Sequence, residues 1–271
     1  MSNYINTRHA RIHITNEGRG DVALVFLHYW GGSARTWHHV TKGLAGLTNC
    51  IGIDLRGWGK SEALDGRYDL GAMAEDVTEV ISVLGLKRII LVGHSMGGKV
   101  AQIVATGLAT TAEALILIAP SPATGMHVPA EIRAQMLASY QSAEGVAQAL
   151  TILAHRPLSE TDRTMAFEDT LAGADGAKRE WTETGMIASL QDDISAITMP
   201  VRILVGDEDK VERVEDLRRI YAELLPHAEL EVLSNTGHLS PLENPEAIII
   251  ACHNQLTQLT AITWRDRRTV G

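Results

Sequence analysis

A serine set among glycines is the first place in this sequence where chemistry is legible. Ser95 stands in Gly93-His94-Ser95-Met96-Gly97-Gly98, between the apolar runs Ile89-Ile90-Leu91-Val92 and Val100-Ala101-Gln102-Ile103-Val104-Ala105. The first run reads as a buried strand and the second as a buried helix, which puts the serine on the turn between them. Glycine on both sides permits a turn too tight for residues that carry a Cβ. Such a turn lifts the hydroxyl off the end of a sheet, with a helix N-terminus just behind it. A serine hydroxyl is a weak nucleophile until a base takes its proton, and that base must be held in one tautomer by a third group. Of the eleven histidines, His227, His238 and His253 follow the second run of strands. His227 falls in a turn before a strand and His253 inside the last helix. His238, in Asn235-Thr236-Gly237-His238-Leu239, lies in a loop after a strand and is the expected base. The acid is expected in Gly206-Asp207-Glu208-Asp209, at the end of the preceding strand. Asp207 and Asp209 point the same way on an extended backbone, so spacing leaves both open. Residues 93–99 also spell G-x-x-x-x-G-K, but Val100 stands where a phosphate-binding loop needs Ser or Thr, and that reading leaves Ser95 idle.

These side chains need a scaffold, and the periodicity supplies one. Residues 11–15 alternate as an edge strand before a turn at 16–21, and the run Val22 to Leu27 is apolar enough for a strand covered on both faces. A further strand spans Cys50 to Asp54. Val77, Val80, Ile81 and Leu84 then recur at helical spacing, and Gly85 closes that helix. Ala114 to Ala119 is another buried strand. This alternation predicts an α/β fold: a mostly parallel, twisted, eight-stranded type of sheet with helices on both faces. It stops between residues 121 and 199, where helical patches at 130–140, 145–154, 161–171 and 178–190 predict a helical cap inserted over the sheet's C-terminal edge. It resumes at Val201 to Val205. The expected organisation is therefore a core of residues 1–120 and 200–271, with 121–199 as cap.

The elbow around Ser95 resembles the nucleophile elbow of the α/β-hydrolase superfamily, and the likeness covers nearly the whole chain. His28-Tyr29-Trp30-Gly31-Gly32 is similar to that superfamily's oxyanion loop, residues 54–61 to its D-x-R-G-x-G-x-S turn, and Gly237-His238 with Leu242-Glu243-Asn244-Pro245 to its histidine loop. The resemblance implies a catalytic triad of Ser95, Asp209 and His238, with the acid mapped to Asp209 by the G-x-x-D pattern. It also implies an oxyanion hole formed by the Trp30 and Met96 backbone N–H groups. Tyr29 departs from the family's usual glycine, and would be strained if its position needed a positive φ. His28 and Arg56 are expected to be structural ties. Met126, Met165, Phe167, Trp181 and Met186 are expected to line an apolar pocket.

The implied activity is hydrolysis of a carboxylic ester or lactone through an acyl-enzyme on Ser95, with no cofactor and no metal. Dehalogenase and epoxide-hydrolase branches carry aspartate at the elbow, and this chain carries serine. The same triad also serves carbon–carbon bond hydrolysis, amide cleavage and cofactor-free perhydrolysis, while a hydrolase-like small-molecule receptor with little turnover is the alternative of another class. A formal net charge of -9 argues against nucleic acid or an anionic membrane as partner, leaving a small-molecule acyl substrate. Oligomeric state is left open. Cys50 and Cys252 are the two cysteines and fall in no metal-ligand spacing, and the polar N-terminus shows no secretory signal. A cytoplasmic protein is expected.

Overall fold

Uninterrupted apolar runs become the middle of a sheet, because only there are both faces of a strand hidden. The computed structural model describes residues 3–268, with side chains for residues 3–259. Its strands are β1 (Tyr4–Asn6), β2 (Ala10–Gly18), β3 (Ala23–Leu27), β4 (Asn49–Ile53), β5 (Glu62–Ala63), β6 (Ile89–His94), β7 (Ala112–Ile118), β8 (Val201–Gly206) and β9 (Glu229–Leu233). They form one sheet in the order β1-β2-β4-β3-β6-β7-β8-β9, with β5 paired to β2. All pairs from β4 to β9 are parallel, and β2 is antiparallel to its three neighbours. In β3 every residue is buried.

Alternate residues of each strand feed two separate cores, as the two-residue repeat of a strand requires. Val25, Leu27, Leu91, Leu117, Ile203 and Val205 face one side, against α2 (Leu70–Val83), α3 (Met96–Gly107) and α8 (Val214–Leu224). Leu24, Phe26, Ile90, Val92, Ile116 and Leu204 face the other, against α1 (His38–Leu44) and α10 (Pro245–Arg268). Both cysteines lie in this second core as free, buried thiols. Ser33 caps the short 3-10 turn Ala34–Trp37 that leads into α1.

Between β7 and β8 the chain forms α4 (Ala130–Ser139), α5 (Ala143–Leu153), α6 (Glu160–Ala172), α7 (Asp175–Glu180) and a π-helical turn Trp181–Gly185. A third, smaller core joins this segment to the rest: Val146, Leu150 and Ala166 pack with Tyr29, Leu239 and Leu242. A four-residue helix α9 (Ser240–Glu243) precedes α10.

Three local expectations change. The turn expected at residues 16–21 starts later, because Asn16 to Gly18 continue β2 and pair with β4 up to Gly18↔Asn49. The helix expected over 178–190 ends at Gly185. There the backbone turns to meet residues 123–126: the Met126 N–H donates to Met186 O at 2.8 Å, and the Leu190 N–H to Ala123 O at 2.6 Å. Finally, β1 and β5 are too short to leave a periodic signal. No helix among the described residues is long and apolar enough to cross a membrane.

Candidate active site

The elbow is built by close backbone approach. Ser95 has φ 51° and ψ −114°, at the junction of β6 and α3. A Cβ on Gly93 would fall 2.4 Å from Gly97 O, and one on Gly97 would fall 2.4 Å from Leu27 O. Only hydrogen fits at either position. A non-glycine residue held at such angles carries about 1–3 kcal/mol of strain, which the surroundings must over-determine. Here the Ser95 N–H donates to Ile118 O at 3.0 Å, and Ser95 O accepts from Gly98 N–H at 2.9 Å and Ser121 N–H at 3.1 Å. The serine is thus bound to its own helix and to the end of the neighbouring strand.

His238 arrives from the loop after β9, and Asp209 from the loop after β8. His238 Nδ1 lies 2.8 Å from Asp209 Oδ2, with both side chains buried. A carboxylate only accepts, so Nδ1 carries the proton and Nε2 keeps its lone pair. The other oxygen, Asp209 Oδ1, accepts the Val211 N–H at 2.8 Å and the Glu212 N–H at 2.9 Å, which fixes the carboxylate's plane. Asp207, two residues earlier, is exposed and, among the described residues, its carboxylate accepts only the Thr236 N–H at 3.3 Å. Of the two acids that spacing left open, it is Asp209 that meets the imidazole, because the loop curls after Asp207 instead of staying extended.

Two groups brace the histidine loop that sequence reasoning did not single out for this. Glu243 Oε2 accepts the backbone N–H groups of Gly237, His155 and Arg156 at 3.0, 2.9 and 2.8 Å. It ties the loop carrying His238 to the segment after α5, while the His238 N–H donates to the last residue of α5 (Leu153 O, 2.8 Å). His94, next to the serine, donates from Nε2 to His238 O at 2.7 Å. Burial, with the neighbouring His238 adding to it, pushes the His94 ring well below the ordinary imidazole range, so it serves as a neutral donor.

The loop of residues 28–32 sits beside the serine. Tyr29 has no positive φ; the left-handed turn falls at Gly31, φ 100°, so tyrosine is tolerated where the family usually has glycine. His28 donates from Nδ1 to Tyr29 O at 2.7 Å and accepts the Leu55 N–H on Nε2 at 3.0 Å. It is a structural tie, as is Arg56, which donates to Asp76 at 2.6 Å and to Arg67 O at 3.1 Å. The Trp30 ring stacks on Tyr140 with centroids 3.6 Å apart and planes 12° from parallel. The Trp30 and Met96 backbone N–H groups donate to no other described residue.

Ser95, His238, Trp30 and Tyr29 open onto one cavity of about 560 Å³, in the range of small-molecule sites. Met126, Trp181 and Met186 line it, together with Met136, Tyr140 and Ile152. Met165 and Phe167 do not. Both are on α6, whose apolar residues turn toward the small core under Tyr29 and toward surface clefts lined by Arg163 and Glu168. Helical periodicity alone cannot tell which neighbour an apolar stripe faces.

Glu212 also lines the cavity; it is buried, and its Oε1 has no hydrogen-bond partner among the described residues. Burial, then the nearby Asp209 charge, hold its carboxyl well above the usual range. Lys99, fully buried behind it, donates to Gly185 O at 3.1 Å and Met186 O at 3.2 Å. Burial pulls its ammonium down to about 8, against the opposing pull of Glu212. A lysine engaged by two carbonyls is not placed to cradle a phosphate, which removes the phosphate-loop reading of residues 93–99.

A doubly covered parallel sheet with a strained serine at a β–α elbow defines an enzyme of the α/β-hydrolase type. The family model described as "Alpha/beta hydrolase family" matches residues 24–251, and the chain belongs to that family. A soluble epoxide hydrolase of Corynebacterium sp. (strain C12) is 27% identical over 265 residues, covering 88% of this chain and 91% of that protein. A 2-hydroxy-6-oxononadienedioate/2-hydroxy-6-oxononatrienedioate hydrolase of Pseudomonas sp. is 25% identical over 261 residues, covering 87% and 88%. An esterase from Exiguobacterium antarcticum superposes with a TM-score of 0.86 at 22% identity, over 95% of this chain and all of that one.

Proposed function

We propose that the protein is a serine hydrolase of carboxylic esters or lactones, with Ser95 as nucleophile, His238 as general base and Asp209 as its orienting acid. The observation that carries this reading is the buried 2.8 Å contact between His238 Nδ1 and Asp209 Oδ2, beside a cavity that Ser95 also lines. With Nδ1 committed, Nε2 is free to take the Ser95 proton as the oxygen attacks the acyl carbon. The carbonyl oxygen gains charge as the tetrahedral intermediate forms, and the unengaged Trp30 and Met96 N–H groups are the donors that receive it. One such donor contributes ~2.7–4 kcal/mol of transition-state stabilisation in another serine enzyme. Collapse expels the alcohol, protonated by His238. Water then repeats the attack on the acyl-enzyme, with His238 again the base.

The cavity favours an apolar substrate of modest size, since methionine, isoleucine and aromatic side chains form most of its wall. Carbon–carbon bond hydrolysis is a second reading, motivated by the 25% identity to the Pseudomonas oxononadienedioate hydrolase. Against a dianionic substrate stands the wall itself, which is mostly apolar and also carries the buried carboxyl of Glu212, leaving Lys210 as its lysine. The test is a panel of nitrophenyl esters, lactones, amides and β-diketones, with an organophosphonate as label. The expected result is a burst of nitrophenol and one adduct on Ser95, both lost in Ser95→Ala. Tight ligand binding without turnover on any member of the panel would replace this reading with the receptor, and turnover confined to diketones would replace it with the carbon–carbon hydrolase.

A further inference from the structure

Helices α1 and α6 meet at three side chains that the proposed hydrolysis leaves unused: His38, His39 and Asp162. His38 Nδ1 lies 2.9 Å from Arg35 O. A carbonyl only accepts, so Nδ1 carries the ring proton and the neutral imidazole presents a lone pair at Nε2. That nitrogen sits 3.2 Å from Asp162 Oδ1, a buried oxygen without a hydrogen-bond partner among the described residues. Two acceptors therefore face each other at contact distance, and something positive belongs between them. His39 Nε2 completes the group, 3.1 Å from Asp162 Oδ2.

We propose that His38, His39 and Asp162 form a site for a divalent transition metal of the zinc class, joining the first helix of the core to α6. One ligand atom from each residue lies within 4.8 Å of the other two. In a tetrahedral zinc site with ligands at about 2.0–2.1 Å, neighbouring ligand atoms stand about 3.3 Å apart. The histidine–carboxylate edges have that length, 3.2 and 3.1 Å, but run to different Asp162 oxygens, so a small turn of the carboxylate is needed for one oxygen to serve both rings. Two imidazoles and one carboxylate are the donor set that favours Zn²⁺, Co²⁺ or Ni²⁺ over Mg²⁺ or Ca²⁺. The outer shell is present as well. Arg35 O fixes the His38 tautomer, and the Ser159 hydroxyl donates to Asp162 Oδ2 at 2.7 Å while Asp162 N–H donates back to Ser159 Oγ at 3.0 Å. The histidine side chains are 38% and 41% exposed, which leaves the fourth position to water. None of the three lines the cavity of Ser95, so the ion would be structural. Motif spacing could not reveal such a site, because His39 and Asp162 are 123 residues apart in the chain.

The test strips the full-length protein with a chelator and titrates ZnCl₂ or CoCl₂ alone, followed by calorimetry and by the visible bands of tetrahedral Co²⁺. The expected outcome is one saturable ion with tetrahedral Co²⁺ bands, a Tm that rises with metal concentration, and ester turnover that survives the chelator. His38→Gln, His39→Gln and Asp162→Asn should each weaken binding at least tenfold while their circular dichroism matches the parent. The two histidine changes sit on partly exposed rings, so loss of fold would not obscure them. Absence of saturable binding overturns the proposal, and so does binding that His38→Gln and His39→Gln leave unchanged. In either case a proton shared between His38 and Asp162 fills the gap instead.

Discussion

The floor and the roof of the Ser95 cavity are built on opposite principles. On the floor, Ser95, Asp209 and His238 are buried, and each is held by at least two hydrogen bonds from the ends of strands or from neighbouring loops. The roof, from residues 126–186, meets the cavity through Met126, Ile132, Met136, Ile152, Trp181 and Met186. Its helix α4 has no buried residue at all. Fixed dipoles serve a reaction in which charge develops at one known point. A wall of flexible apolar side chains serves a ligand whose shape varies. On the proposed function, chemistry and selection fall to different stretches of the chain.

Four substitutions separate the two. Asp209→Asn should lower kcat roughly 10⁴-fold by misorienting the imidazole, as loss of the orienting acid does in serine proteases. Asp207→Asn should change turnover no more than a surface substitution, about 0.5 kcal/mol or less. Equal losses in the two variants would break the contrast between the acids. Gly97→Ala next forces a Cβ to within 2.5 Å of both Leu27 O and His28 O. We expect about 3 kcal/mol of destabilisation in denaturant titrations, the upper end for overpacking. Trp181→Ala, on the roof, should raise KM about tenfold for bulky esters and leave kcat within a factor of about three, the pattern of lost uniform binding. A kcat loss as large as that of Asp209→Asn would erase the division of labour.

A further effect concerns Lys99, which joins floor to roof. Its folded value of about 8 lies below that of an unfolded lysine, about 10.4, so the unfolded chain binds more protons between those limits. Stability from this group therefore rises as pH passes from 8 toward 10, by at most about 1.4 kcal/mol per pH unit for one proton. Glu212 runs the other way at lower pH. Its raised carboxyl value makes the folded state hold the extra proton, so stability falls as pH climbs above the ordinary carboxylate range. Lys99→Met should abolish the alkaline rise in a pH series of unfolding free energies. An unchanged rise would show that another group supplies it.

The sequence reading reached the floor more fully than the roof, for a physical reason. Strand interiors such as Val22 to Leu27 and turns such as Gly93 to Gly98 are fixed by local backbone chemistry, which residue types announce. Side chains converging from distant segments announce less. Asp207 and Asp209 share a face on an extended chain, and only the curl that lets Asp209 accept two backbone N–H groups separates them. Met165 and Phe167 carry the same apolar label as Met126 and Met186, yet α6 points them away from the serine. The helix expected to reach residue 190 ends at Gly185 because of contacts with residues 123–126 that no periodicity encodes. Glu243 was visible only as part of a family-like segment, and its threefold backbone anchorage emerges from the fold.

The two carbonyls that Lys99 grips also pin one wall of the cavity to the core. Lifting residues 185–186 would strand an ammonium in the protein interior, stripped of both acceptors. The edge that α4 borders is tied in the same way but nearer the surface. There α4 has no buried residue of its own, and its Arg133 donates to Thr182 O at 2.7 Å and Glu183 O at 2.9 Å, so the turn at 181–186 is gripped by a cation from each side.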